Sequence, residues 1–208
     1  MVNQLEIWED PAREIGEVLL DDAIDNFSPA IAKIPLLSTL SAAIKSSKAW
    51  SDYLLARKVQ QFYMAWEVLD KPERKKTYEK FQKRPRDFIE KLLFILEKQE
   101  DALKCRTIGH LTVQYLRGEI RRGDYYDLIE SMTQLTVSDL QTLAKLLRLE
   151  SVIIPAGKIN ERHVNTFISR GLLTTERRLP REQRASSRPD YKLTKLGTLL
   201  AGSVHDFS

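Results

Sequence analysis

The residues best equipped for chemistry in this 208-residue chain are its cations. Nine bases crowd between positions 71 and 91 (Lys71, Arg74, Lys75, Lys76, Lys80, Lys83, Arg84, Arg86 and Lys91), with Tyr78 and Phe81 among them and Glu73 and Glu79 partly offsetting them. Bases interleaved with aromatics suit a phosphate backbone, because cations meet phosphates while rings stack on bases. The same run also suits a solvated connecting helix, the commoner cause of a charge run. Other reactive residue types are sparse. His110, His163 and His205 show no metal-ligand spacing. Cys105 and His110 are five apart, which sets them about 140° apart around a helix and disfavours a Cys–His pair, so Cys105 reads as an inert buried thiol. Asp21, Asp22 and Asp25 have no spaced partner to complete a magnesium site and read as a solvated helix end. Neither GxxxxGK[ST] nor GxGxxG occurs among the eight glycines. The expectation is no catalytic residue, no metal and no cofactor, hence a non-enzymatic protein.

The elements that carry these residues follow from composition and periodicity. At 42% hydrophobic and 30% charged, the chain has enough apolar material for a sizeable core. A single cysteine forbids an internal disulfide and fits a reducing compartment, and the acidic start MVNQLEIWEDPARE lacks the features of a secretion signal, so a cytoplasmic location is expected. Charge is unevenly spread. Residues 1–26 hold eight acids and one base, leaving an excess of eleven positive charges over the remainder of a chain whose formal net charge is +4. That asymmetry points to a basic surface for anionic partners and an acidic segment that covers it or meets another protein.

Asp10-Pro11 opens a helix running to about Asn26, and Ser28-Pro29 opens an apolar stretch over 29–44 that Pro35 interrupts. That stretch falls short of a membrane span and reads as a core hairpin, with interfacial contact as the other option. From Trp50 to Leu69 the apolar residues Leu55, Val59, Phe62, Trp66 and Leu69, flanked by Tyr63, recur at helical spacing and predict a buried aromatic stripe. Pro72 and Pro85 bracket a short helix. Asp87 is expected to cap the next one, with Phe88, Leu92, Ile95 and Leu96 inside. A helix over 101–117 follows, with Leu103, Ile108, Leu111 and Tyr115 inward and Gly118 as its left-handed stop.

Asp124 is expected to cap a helix over 125–135. Thr136 and Ser138 precede another helix, in which Leu140, Leu143, Ala144 and Leu147 are spaced to face inward. SVIIPAGK reads as a short strand or buried loop. Asn160 caps ERHVNTFISRG, with Val164, Phe167 and Ile168 inward and Gly171 ending it. LLTTERR and YKL read as two strands joined by the basic loop LPREQRASSRPD, and Thr194 caps a last helix. The series Ile168-Ser169-Arg170-Gly171-Leu172-Leu173 followed by Tyr191-Lys192-Leu193-Thr194-Lys195-Leu196-Gly197 resembles the winged-helix superfamily of MarR-, ArsR- and PadR-type bacterial regulators. The resemblance covers roughly residues 125–202. It implies that 160–170 is a recognition helix presenting Asn160, Arg162, His163, Asn165, Thr166 and Arg170 to a major groove. It also implies a wing whose Arg177, Arg178, Arg181, Arg184 and Arg188 meet phosphate or the minor groove. The chain departs from the pattern where Glu150–Ile159 replaces a three- or four-residue turn, and Glu161 and Glu176 oppose phosphate approach.

The fold expected is mainly α: a helical bundle over 1–120 followed by a winged-helix-like module over 121–208 with a short β-hairpin. Segments IPLLSTL, YLLARKVQQF and YLRGEIRRGDYYDLI look like bacterial helical proteins of phage-defence loci. Three functions are expected, in this order. The first is a nucleic-acid-binding regulator or adaptor that uses the winged helix, DNA-binding if it follows the regulators it resembles. The second is a protein–protein interaction component of an antiviral (abortive-infection) system that uses the acidic N-terminal helix. The third is a peripheral membrane effector acting through residues 29–44. A homodimer fits the first of these.

Overall fold

A computed structural model of the chain describes residues 49–149, 153–155, 157–176 and 190–205. The expectations for residues 10–26, for 29–44 and for the arginines of 177–189 lie outside the described residues. Within them the fold is mainly helical, with eight helices and one two-stranded antiparallel sheet. No helix among the described residues is long and apolar enough to cross a membrane. The chain divides into two compact units between Arg117 and Gly118.

The first unit contains α1 (Ala49–Met64), α2 (Lys71–Gln82), α3 (Arg86–Glu97) and α4 (Ala102–Arg117). The aromatic stripe is core: Val59, Phe62, Tyr63, Trp66 and Leu69 are all buried. Its rings meet edge to face, Phe62 on Tyr63 at 5.1 Å and Trp66 on Phe81 at 5.4 Å, the arrangement that ring quadrupoles favour. The helix itself stops at Met64 instead of continuing to Leu69. Trp66, Glu67 and Leu69 donate their N–H groups three residues back, which tightens the chain into turns. The Arg74 guanidinium then donates to the freed carbonyls of Glu67 and Leu69, at 2.9 Å each. Asp70 restarts the helix by accepting the Glu73 N–H at 2.8 Å, with Pro72 in the first turn.

α1 and α4 pack closely at Gly109. A Cβ built there would stand 2.1 Å from the Phe62 carbonyl oxygen and 3.0 Å from the Ala65 Cβ. Gly118, at φ 87°, ends α4 as expected. α3 begins one residue before Asp87. The Pro85 carbonyl accepts the first helical N–H groups, from Phe88 and Ile89, and Asp87 has no capping role. Cys105 is fully buried, and that burial pushes its thiol up to about 11. Alkylation at pH 8 should therefore run more than about 100-fold slower in the native protein than in urea. Equal rates would show that the thiol is open to solvent.

The second unit contains α5 (Arg122–Gln134), α6 (Val137–Leu147), α7 (Glu161–Ser169), β1 (Leu173–Glu176), β2 (Asp190–Leu193) and α8 (Lys195–His205). Leu128, Met132, Leu140, Leu143, Phe167, Leu172, Leu200 and Ala201 form its core. α5 starts at Arg122, earlier than expected, because the Arg121 carbonyl takes the Tyr125 N–H. Asp124 is thereby left in the first turn, where its carboxylate accepts from Lys195 Nζ of α8 at 2.6 Å. α6 opens with a capping box between Thr136 and Asp139. Leu146 is buried where Leu147 was expected to be. Ile168 is 39% exposed instead of inward, since α7 is nine residues long and buries Val164 and Phe167 alone.

Candidate nucleic-acid interface

α7, the hairpin and α8 are pinned at one joint. Gly171, at φ 66°, turns the chain out of α7, a backbone state that costs glycine little. Leu172 and Leu173 then drop into the core. The Thr194 hydroxyl donates to the Gly171 carbonyl at 2.6 Å and accepts the Gly197 N–H at 3.0 Å, so one side chain both caps α8 and ties it to the end of α7. The Thr194 N–H donates to the Leu172 carbonyl at 3.0 Å. Gly197 lets α8 approach: a Cβ there would stand 2.1 Å from the Leu172 carbonyl oxygen.

Between the joint's two halves β1 pairs with β2 in the register Leu173↔Leu193 to Glu176↔Asp190. Ile154, from the segment that follows α6, bonds Tyr191 through both backbone groups, at 2.7 and 2.9 Å. β2 therefore lies between β1 and a one-residue bridge. Among the described residues of SVIIPAGK, expected as a short strand or buried loop, that bridge is the extended pairing, and Pro155 beside it has no N–H to continue it. Gly157, at φ 93°, and Asn160, whose Oδ1 accepts the Arg162 N–H at 2.9 Å, then start α7.

The candidate residues separate by environment. Arg162 and Asn165 are exposed, and their side chains make no hydrogen bond or ion pair among the described residues. Arg170 is exposed at the C-terminal end of the same helix. Thr166 is half-buried and its hydroxyl donates to the Arg162 carbonyl. His163 is also half-buried: Nδ1 lies 2.7 Å from Asp139 Oδ1, and the ring stacks on Phe167 at 20°. Arg177, Arg178, Arg181, Arg184 and Arg188 lie outside the described residues. Lys192, exposed on β2 opposite Thr174, was missed by sequence reasoning, although alternation along YKL marks it as the outward residue. Asp139 was missed as well; its signal was the T-x-x-D spacing from Thr136.

Burial acts to raise the Asp139 pKa, but hydrogen bonds from the Thr136 hydroxyl and backbone and from His163 outweigh it and hold the carboxyl below its usual value. A depressed carboxyl stabilises the fold above its unfolded pKa, about 3.9, and that contribution disappears as pH falls through the lower folded value. Asp139→Asn should therefore cost about 1–2 kcal/mol at pH 7 and flatten the loss of stability below about pH 4. Unfolding curves that keep the wild-type acid slope would contradict this.

The basic run of the first unit is half consumed by the fold. Besides Arg74, Lys80 donates to the Leu116 carbonyl, Arg84 donates to the Tyr115 hydroxyl and lies 4.5 Å over its ring, and Arg86 pairs with Glu90. Lys71, Lys75, Lys76, Lys83 and Lys91 are left exposed. Residues 27–117 carry 18 bases and 10 acids, against 14 and 11 in 118–208, so beyond the acidic residues 1–26 most of the positive excess lies in 27–117. Among the described residues no three of His, Cys, Asp and Glu gather to hold a metal ion. Comparison with protein-family models, with curated proteins and with solved structures finds no match for the chain.

Proposed function

We propose that residues 121–208 form a winged-helix module that binds duplex DNA, and that the protein is a non-enzymatic regulator or adaptor. The observation that supports this most is the joint at Gly171 and Thr194. It sets a short amphipathic helix, a two-stranded ribbon and a closing helix in the order such modules use, and it leaves Arg162, Asn165 and Arg170 on the outward side of α7. The Ile154 bridge flanks β2 on the side away from β1, and in the sequence β1 is followed at once by the five arginines of 177–188.

Binding of a fluorescent duplex, followed at two salt concentrations, tests the reading. Affinity should fall steeply with salt. Each phosphate-contacting arginine removed should reduce the slope of log K against log salt by about one. Arg177, Arg178 and Arg181 changed together should weaken all sequences alike, whereas Arg162→Ala should cost about 1–3 kcal/mol and relax base preference. Absence of binding at low salt removes this reading and leaves α7 and the ribbon as a protein-docking surface, which exposed Ile168 and Glu161 would suit.

A further inference from the structure

Asp139 is 3% exposed, and its two oxygens do different work. Oδ2 accepts from the Thr136 hydroxyl at 2.6 Å and from the Thr136 backbone N–H at 2.8 Å, which closes the start of α6. Oδ1 faces α7 and lies 2.7 Å from His163 Nδ1. The hydrogen bonds that lower the Asp139 pKa keep the group ionised at neutral pH, and an ionised carboxylate can only accept. The proton between the two groups therefore sits on Nδ1. Phe167, one turn further along α7, lies nearly parallel to the imidazole with ring centroids 5.9 Å apart, so the ring plane is set as well. Nε2 makes no hydrogen bond among the described residues, and the side chain keeps 17% of its surface exposed.

We infer that Asp139 is a positioning residue that locks His163 in the Nδ1–H tautomer, so that the neutral ring offers the Nε2 lone pair on α7 as a hydrogen-bond acceptor for an N–H donor of the bound partner. This rests on the DNA-binding reading of α7. On that reading the donor is an exocyclic amino group in the major groove, cytosine N4 or adenine N6, because the other major-groove polar atoms accept. His163 is thereby opposite in hydrogen-bonding sense to Arg162, its neighbour on the helix, which can only donate.

Asp139→Asn gives the inference its sharpest form. The Thr136 backbone N–H is a fixed donor and requires an acceptor where Oδ2 stands. The asparagine must place its carbonyl there, so its amide NH2 takes the position of Oδ1. His163 Nδ1 then meets a donor, becomes the acceptor, and leaves the proton on Nε2. The substitution thus inverts the polarity of Nε2 while keeping a hydrogen bond to each side.

Two measurements on the full chain test this. Long-range 1H–15N NMR of the imidazoles, at a pH where the rings are neutral, should show a pyridine-type Nε2 for His163 in the wild type and a protonated Nε2 in Asp139→Asn. A protonated Nε2 in the wild type, or an unchanged tautomer in the variant, overturns the positioning role. Binding to a duplex panel permuted one base pair at a time is the second. At one position His163→Ala should reduce a preference of about tenfold for an amino-bearing base to near one, and Asp139→Asn should shift the preference towards a carbonyl-bearing base. An unaltered preference in both variants overturns the base-reading role. Failure of every duplex to bind removes the DNA-binding reading and the base-reading role with it, while the NMR result decides the tautomer lock independently.

Discussion

Gly197→Ala is expected to destabilise the second unit by about 2–3 kcal/mol, net of the helix propensity that alanine brings. The new methyl would stand 2.1 Å from the Leu172 carbonyl oxygen, 3.0 Å from the carbonyl carbon and 3.2 Å from Leu193 Cδ2. The nearest two obstacles are backbone, and Leu172 is fully buried directly after the left-handed Gly171, so it has little freedom to yield. α8 must retreat instead. Its retreat stretches the Thr194 N–H to Leu172 bond and the Thr194 hydroxyl to Gly171 bond together. Gly202→Ala in the same helix is the control. Nothing lies within 4 Å of a Cβ there, so that change should be neutral or should stabilise by up to about 1 kcal/mol. Urea unfolding of the two variants should separate them clearly. Equal midpoints would mean that α8 and the Leu172 turn do not touch. On the DNA-binding reading, Gly197→Ala should also weaken duplex binding without altering any residue of α7.

Gly109→Ala should have an effect of similar size on the first unit, about 3 kcal/mol, or a urea midpoint lower by roughly 1.5 M. Here the methyl would meet the Phe62 carbonyl oxygen at 2.1 Å and the Ala65 Cβ at 3.0 Å. Parting α1 from α4 would open the layer that buries Phe62, Ile108 and Cys105. The double variant Gly109→Ala with Ala65→Gly separates the two obstacles. It should recover little stability, because the closer one is a main-chain oxygen that no substitution removes. Full rescue by Ala65→Gly would place the close contact on the side chain and contradict the backbone approach.

Neither glycine's packing role was legible in the sequence as a stability determinant. Gly197 was noted as the end of a turn pattern and Gly109 not at all. A glycine inside a helix reveals a close neighbour only when that neighbour is known, and both partners, Leu172 and Phe62, lie far away in sequence. What local chemistry dictates was legible. The stops at Gly118 and Gly171, the caps of Asn160 and Thr194, and the inward Phe62–Trp66 stripe follow from residue type and spacing. The errors cluster at helix starts. Arg121 and Pro85 open helices with backbone carbonyls alone, whereas side-chain rules favoured the nearby acids Asp124 and Asp87. Ile168 was placed inward because helical spacing marks a face without saying how wide it is. The anchoring of His163 Nδ1 was not legible, because the carboxylate that holds it lies on another helix, 24 residues earlier.

The Gly171–Thr194 bond also has a consequence for how this chain can vary. It joins two residues 23 positions apart, so the end of one helix and the start of the next are tied independently of what lies between them. Closing a loop grows costlier only slowly with its length. Insertions, deletions or exchanges between positions 177 and 189 should therefore change the stability of the second unit little, so that stretch can vary in length and composition while the joint stays constant.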